Sequence, residues 1–232
     1  MMVLFDPLYL AMLIPTMILA GFASLYTKST FSRFSKVASS SRLTGAQAAE
    51  QMLRQQGVYD VNIEQIGGFL SDHYDPRHKT LRLSPDVYGS QSLSAIGVAC
   101  HEAGHALQHA AGYAPLSLRS AMVPMTQLGS GGSYIFFILG FLFQAPVMIK
   151  FGVILFAAVV AFSLITLPVE WNASARAKRL MVTAGIVSAG EAQQAGQVLN
   201  AAFLTYVASA VSALMTLLYY LIRFGLIGGG DD

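Results

Sequence analysis

Apolar residues along this chain gather into long runs rather than the short amphipathic periods of a water-soluble fold. Leu8 to Tyr26 carries no charge. Ala121 to Ile149 carries none either, Lys150 interrupts the pattern, and Phe151 to Val169 resumes it; Ala192 to Ile222 is again uncharged. About 20 helical residues cross the roughly 30 Å hydrocarbon core of a bilayer. The pattern therefore predicts four transmembrane helices, at 8–26, 122–143, 150–168 and 201–222. Pro15 is tolerable in the first, because neighbouring helices and local adjustment can satisfy the freed backbone group. Gln144, Pro146 and Lys150 mark the turn of a hairpin between the second and third. Arg223 and a Gly228-Gly229-Gly230 tail close the fourth.

Between the first two spans, residues 27–120 change character and predict a small inserted α+β domain. Ala48, Ala49, Met52 and Leu53 recur at helical spacing, with Thr44 as N-cap and Gly57 as stop. Val58 to Leu83 reads instead as short strands: Val61 and Ile63, then Phe69 to Tyr74, the turn formers Asp75-Pro76, and Thr80 to Leu83. A second helix is expected over 92–111, rich in Ala and ended by Gly112 with Pro115 beyond. Residues 169–200 form a further helical segment that returns to the same side. The fold class expected is a mainly α membrane protein: four transmembrane helices with an inserted small α+β domain.

Composition agrees, with 54% of residues apolar and 11% charged, where soluble domains have about 25% charged residues. So little charge excludes a disordered tail, and a net +2 excludes a surface built to neutralise phosphates, hence nucleic acid as a partner. The lipid bilayer is the partner expected. Lys28, Arg33, Lys36, Arg42, Arg54, Arg77, Lys79, Arg82, Arg119, Arg176, Lys178 and Arg179 would all share one side, against Lys150 and Arg223 on the other. That bias places the inserted domain in the cytoplasm and both termini outside. Asp6 is the only charge before Lys28, so the first segment lacks the basic n-region of a cleaved signal and reads as a retained anchor. Cys100 is the single cysteine, which excludes an intrachain disulfide and a Cys-based zinc cluster.

The chemistry concentrates on the second helix, at His101-Glu102-Ala103-Gly104-His105. Two His at i and i+4 share a helical face and can occupy adjacent corners of a zinc tetrahedron; the Glu after the first is placed to accept a proton from activated water. In a chain of this composition, H-E-x-x-H would arise by chance in about 0.2% of shuffled sequences, which makes the motif a strong signal. A catalytic Zn2+ takes a third protein ligand. His109, at i+8 from His101 on a helix that continues, is poorly placed to reach the same ion. Glu170 is the better candidate, since a carboxylate at a membrane boundary needs a metal or a partner; the alternative is an ion pair with Arg176. Asn172, Ser174 and Arg176 could support the site or touch substrate, and Cys100 points away as a packing residue.

Asp72-His73-Tyr74-Asp75-Pro76-Arg77, Leu81-Arg82-Leu83-Ser84, His101 through His109, Gly112-Tyr113-Ala114-Pro115-Leu116 and Leu167-Pro168-Val169-Glu170-Trp171-Asn172-Ala173-Ser174 resemble the bacterial YugP-type integral-membrane neutral zinc metallopeptidases, from Asp6-Pro7 to the fourth span. The resemblance implies a zinc-dependent peptidase of the bacterial inner membrane, with His101 and His105 as zinc ligands and Glu102 as catalytic base. The order of strand, H-E-x-x-H helix, hairpin and Glu is also similar to the HtpX membrane peptidases, which implies Glu170 as third ligand. Those relatives carry E-x-x-A-D, and here Ser174 replaces the Asp. The expected substrates are peptides or membrane proteins. His73, Tyr74 and His109 stand open as oxyanion-stabilising groups, Thr80 to Ser84 could offer an open strand edge to a peptide, and the oligomeric state is left open. The rivals are a non-catalytic membrane scaffold with a structural zinc site and a small-solute transporter; the latter is disfavoured because all four spans lack midplane charges.

Overall fold

The computed structural model describes residues 6–227; the Gly228-Gly229-Gly230 tail lies outside them. In chain order the elements are α1 (Pro7–Phe34), α2 (Gly45–Gln55), β1 (Asn62–Gln65), β2 (His73–Asp75), β3 (Thr80–Leu83), α3 (Pro85–Tyr88), α4 (Leu93–Ala110), α5 (Ala114–Leu142), α6 (Pro146–Thr183) and α7 (Ala189–Arg223). The protein is mainly α, with four helices, α1, α5, α6 and α7, long and apolar enough to cross a membrane, and a small three-stranded sheet. Two compact units result. One takes the chain up to Ala23, Leu118–Leu167 and Thr205 onward; the other takes Ser24–Ser117 and Pro168–Leu204.

The first unit turns large apolar side chains outward, as hydrocarbon solvent permits: Leu128 is 73% exposed and Leu142 70%. Its interior gathers Phe137, Val153, Phe156, Val160, Tyr219 and Tyr220, with Phe137 stacked on Tyr220 at 4.0 Å between ring centroids. With little gained by moving apolar surface out of lipid, close backbone approach supplies the cohesion. Gly129 and Gly140 provide it. A Cβ at Gly129 would lie 2.8 Å from the Leu155 carbonyl oxygen, and one at Gly140 2.6 Å from the Ile149 side chain. Gly131, two residues on from Gly129, faces open space.

The α5–α6 turn is tighter than the sequence suggested. Gln144 takes a left-handed φ of 49° and Pro146 opens α6, its fixed φ suiting a first helical position. Lys150 therefore lies inside α6 rather than in the turn.

The second unit has the core of a soluble domain. Thr44 caps α2 through a reciprocal capping box with Gln47, and Ala48, Ala49, Met52 and Leu53 bury one face. Its cluster also takes Leu81, Leu83, Ile96, Ala99, Met181 and Val198. Helix α4, capped by Ser92, is nearly engulfed: from Leu93 to Gln108 only Val98 and His101 are not buried. A helix so enclosed can hold charged groups only in return for hydrogen bonds or ions.

The strand order is β1-β3-β2, β3 running parallel to β1 and antiparallel to β2. Two expectations need correction here. Thr80–Leu83 is the central strand, flanked on both sides, so it offers no open edge; the edges belong to β1 and β2. The expected strand over Phe69 to Tyr74 shortens to His73–Asp75, because Gly68 (φ 111°) and Leu70 (φ 53°) put the preceding residues into a left-handed loop.

Candidate metal centre

Helix α4 meets the part of α6 that belongs to the same unit at a point set by a single missing side chain. A Cβ on Gly104 would sit 2.7 Å from the carbonyl oxygen of Ala173. Only glycine between the two His lets the helices close to this distance. Because α4 and α6 approach there, residues flanking Ala173 face residues flanking Gly104.

Glu170, 2% exposed, is thereby carried onto both imidazoles. Its Oε2 lies 3.1 Å from His101 Nε2 and 3.5 Å from His105 Nε2. One ligand atom from each of His101, His105 and Glu170 can be chosen so that all lie within 4.8 Å of one another. In a tetrahedral site with zinc–ligand bonds of 2.0–2.1 Å, ligand atoms stand about 3.3–3.4 Å apart, and the two separations from Glu170 bracket that value. Two imidazoles and a carboxylate are also a donor set that zinc accepts. The residues fit the ion.

The ring nitrogens turned away from Glu170 have partners as well. His101 Nδ1 lies 3.0 Å from Ser174 Oγ, one turn beyond Glu170. Ser174, which stands where the HtpX-like pattern has Asp, thus meets the ring with a hydroxyl. His105 Nδ1 lies 3.0 Å from Gln108 Oε1.

The polarity of that contact follows from the chain of bonds behind it. Arg176 Nε can only donate, so Asn172 Oδ1 accepts it at 2.8 Å. Gln108 Nε2 must then be the amide donor to Asn172 Oδ1 (3.0 Å) and to the Val169 carbonyl (2.9 Å). Its Oε1 is left facing His105, whose Nδ1 therefore carries a proton. With a metal bound, the neutral ring would turn its Nε2 lone pair to the ion. Gln108 was not singled out from the sequence, although its position three residues after His105 puts it within reach on the same helix face.

Glu102 points to a different neighbour. Its Oε2 accepts the Tyr74 backbone N–H at 3.0 Å, and its Oε1 has no hydrogen-bond partner among the described residues. Burial pushes the Glu102 carboxyl above its ordinary range, with His101 and His105 pulling the other way. Burial likewise raises the carboxyl of Asp72, which accepts from Ser84 N (2.7 Å) and Ser84 Oγ (3.1 Å) and so ties the approach to β2 onto the end of β3.

The remaining His are engaged elsewhere. Tyr74 Oη and His109 Nδ1 pair at 2.8 Å, joining two of the three oxyanion candidates to each other. Burial, with Asp60 and Asp75 adding to it, pushes the Tyr74 phenol up to about 12, so it remains a proton donor. His73 Nδ1 donates to the Ser71 carbonyl at 2.8 Å, and His78 bonds Asp75. Cys100 is buried, as expected of a packing residue.

A model of the family described as "Putative neutral zinc metallopeptidase" matches residues 9–225. The chain belongs to that family. It is also 44% identical over 225 residues to "Putative membrane protease YugP" of Bacillus subtilis (strain 168), covering 97% of this chain and 99% of that protein. No solved structure matches it. Membership implies zinc, and the likeness to a membrane protease together with four membrane-length apolar helices makes this a multi-pass membrane protein.

Proposed function

We propose that the protein is a zinc-dependent endopeptidase that holds its metal with His101, His105 and Glu170 and uses Glu102 as general base. The observation that carries this reading is the convergence of three ligand atoms within 4.8 Å, beside a buried carboxylate with one oxygen free. Zinc in that position would supply Lewis acidity, acidifying water and polarising a scissile carbonyl.

The protein's own residues do the rest. Ser174 and Gln108 fix the two rings so that each Nε2 faces the Glu170 carboxylate. The Tyr74 N–H holds Glu102 by one oxygen, which leaves Oε1 to take a proton from the attacking water and deliver it to the departing amine. Tyr74 Oη, protonated and within reach of His109, supports an oxyanion-stabilising role for one of that pair. The basic bias of the inserted domain supports a site on the cytoplasmic side of a bacterial inner membrane. Peptides or membrane-proximal protein segments are the substrates proposed.

A structural zinc site would need a fourth protein ligand. Among the described residues the group contains three, and His109 and His73 are bonded elsewhere. In detergent-solubilised protein, Glu102→Gln is expected to lower proteolysis by about 10²- to 10⁴-fold while zinc stays at about one per chain. Retained activity would remove Glu102 from the mechanism.

A further inference from the structure

The loop that leads into β2 displays apolar side chains with no function in the site. Residues 66–72 turn through Gly68 at φ 111° and Leu70 at φ 53°. Ser71 Oγ closes the turn against the carbonyls of Gly67 (3.1 Å) and Gly68 (3.3 Å). A leucine held in the left-handed region is strained, because its Cβ crowds the backbone there. Yet the two side chains so presented, Phe69 at 57% and Leu70 at 36%, are exposed rather than packed into the core.

Their neighbour gives their depth. The Phe69 ring meets Phe31 edge-on at 5.9 Å between centroids and 88° between planes. Phe31 lies on α1, five positions after Tyr26 at the end of the first apolar run. On one continuous helix that is an axial rise of about 7.5 Å, comparable to the headgroup layer, which adds about 5–8 Å per side to the hydrocarbon core. Lys28, Arg33 and Lys36 are exposed along the same stretch, the charge that anionic headgroups attract. Trp171, three residues beyond Pro168 at the end of the third apolar run, is 58% exposed and has Lys178 over its ring. An exposed indole with a nearby ammonium suits the aromatic belt of a bilayer.

We propose that Phe69 and Leu70 form a lipid-inserting tip, seated in the same leaflet interface as the ends of the apolar runs of α1 and α6. Beyond the Phe31 contact and the Ser71 hydrogen bonds, the exposed surface of the pair gains nothing in water to set against its left-handed turn; an acyl-chain environment supplies that gain. The consequence reaches the metal centre. Asp72, the next residue but one after Leu70, bonds Ser84, and Tyr74 N–H holds Glu102. The bilayer thus anchors the strand that holds the carboxylate beside the two His.

The test uses the full chain in nanodiscs of phosphatidylcholine and phosphatidylglycerol, with Trp171→Phe removing the only native indole and Phe69→Trp placing a reporter in the loop. Brominated acyl chains are expected to reduce its emission at least about twofold relative to unbrominated lipid, as for an interfacially buried ring. Aqueous iodide should quench it weakly. An indole that emits as in water, ignores the brominated chains and is quenched by iodide overturns the proposal. So does shielding from iodide that develops only at high protein concentration or only on adding a casein digest, since another protein would then cover the tip.

A second reporter guards against a perturbed loop. Cys100 is buried and burial pushes its thiol up to about 12, so a spin label on Phe69→Cys attaches at one place. Collisions with oxygen should exceed those with a water-soluble nickel complex, and the reverse order rejects a lipid-seated tip.

Discussion

In the unit built from the apolar runs, cohesion comes from backbone contact at small residues, and the outward side chains are generic: Leu128 and Leu142 could be exchanged for other apolar groups without loss. In the unit that holds the metal centre the same device recurs, at Gly45 against the Val87 carbonyl and at Gly104, and at Gly104 it serves a different end. There the close approach brings polar atoms together, and the buried polar groups around the His pair hold one another through specific bonds. Tolerance is the rule in the first setting. In the second, a displaced atom leaves a buried donor or charge without its partner, at about 1–3 kcal/mol or more.

Gly104→Val should have the largest effect. Its side chain would collide with the Ala173 carbonyl and push Glu170 off the rings. Metal analysis should find most of the zinc gone, and thermal melts should show a destabilisation of about 1–3 kcal/mol.

Gln108→Ala comes next. It removes the Oε1 that orients His105 and the amide that grips Val169 and Asn172. Zinc affinity, measured by competition with a chelator, should fall about 10- to 100-fold, and activity should recover when zinc is added in excess.

A smaller effect is electrostatic. Hydrogen bonds from Arg82, then His78, hold the Asp75 carboxyl well below the usual carboxylate range. A carboxyl with a depressed folded value stabilises the protein fully above its unfolded value of about 4 and loses that contribution as pH falls toward the folded value. The melting temperatures of wild type and Asp75→Asn should accordingly differ at neutral pH and converge below about pH 4.

Gly131→Ala should do least. Nothing lies within 4 Å of the added methyl, and relief of a helical glycine is worth at most about 1 kcal/mol, so stability should hold or rise slightly, with zinc content unchanged.

Period and composition were enough to read the long apolar helices, the Thr44 cap and the helix bearing His101 and His105, because each is a local signal in which neighbouring residues decide the outcome. Glu170 was legible for a different reason: a lone carboxylate where an apolar run ends must find a positive partner. Which strand lay at the sheet edge was not legible. The parallel pairing of β1 with β3 joins segments separated by the whole β2 hairpin, and nothing in Thr80–Leu83 itself announces two neighbours. The Tyr74 N–H on Glu102 was hidden for a related cause, since every non-proline residue carries that donor and only the fold selects one. Ser174 was visible as a departure from a pattern. Its contact with His101 is what gives the substitution a physical sense, a hydroxyl standing where a carboxylate was expected.

In the reading proposed, two rings on α4 and one carboxylate on α6 share a single zinc ion. Zinc content and proteolytic rate of His101→Ala, His105→Ala and Glu170→Ala, purified in parallel in the same detergent, test it most directly. All three variants should lose tightly bound zinc and activity together. Full zinc and full rate in Glu170→Ala would contradict it.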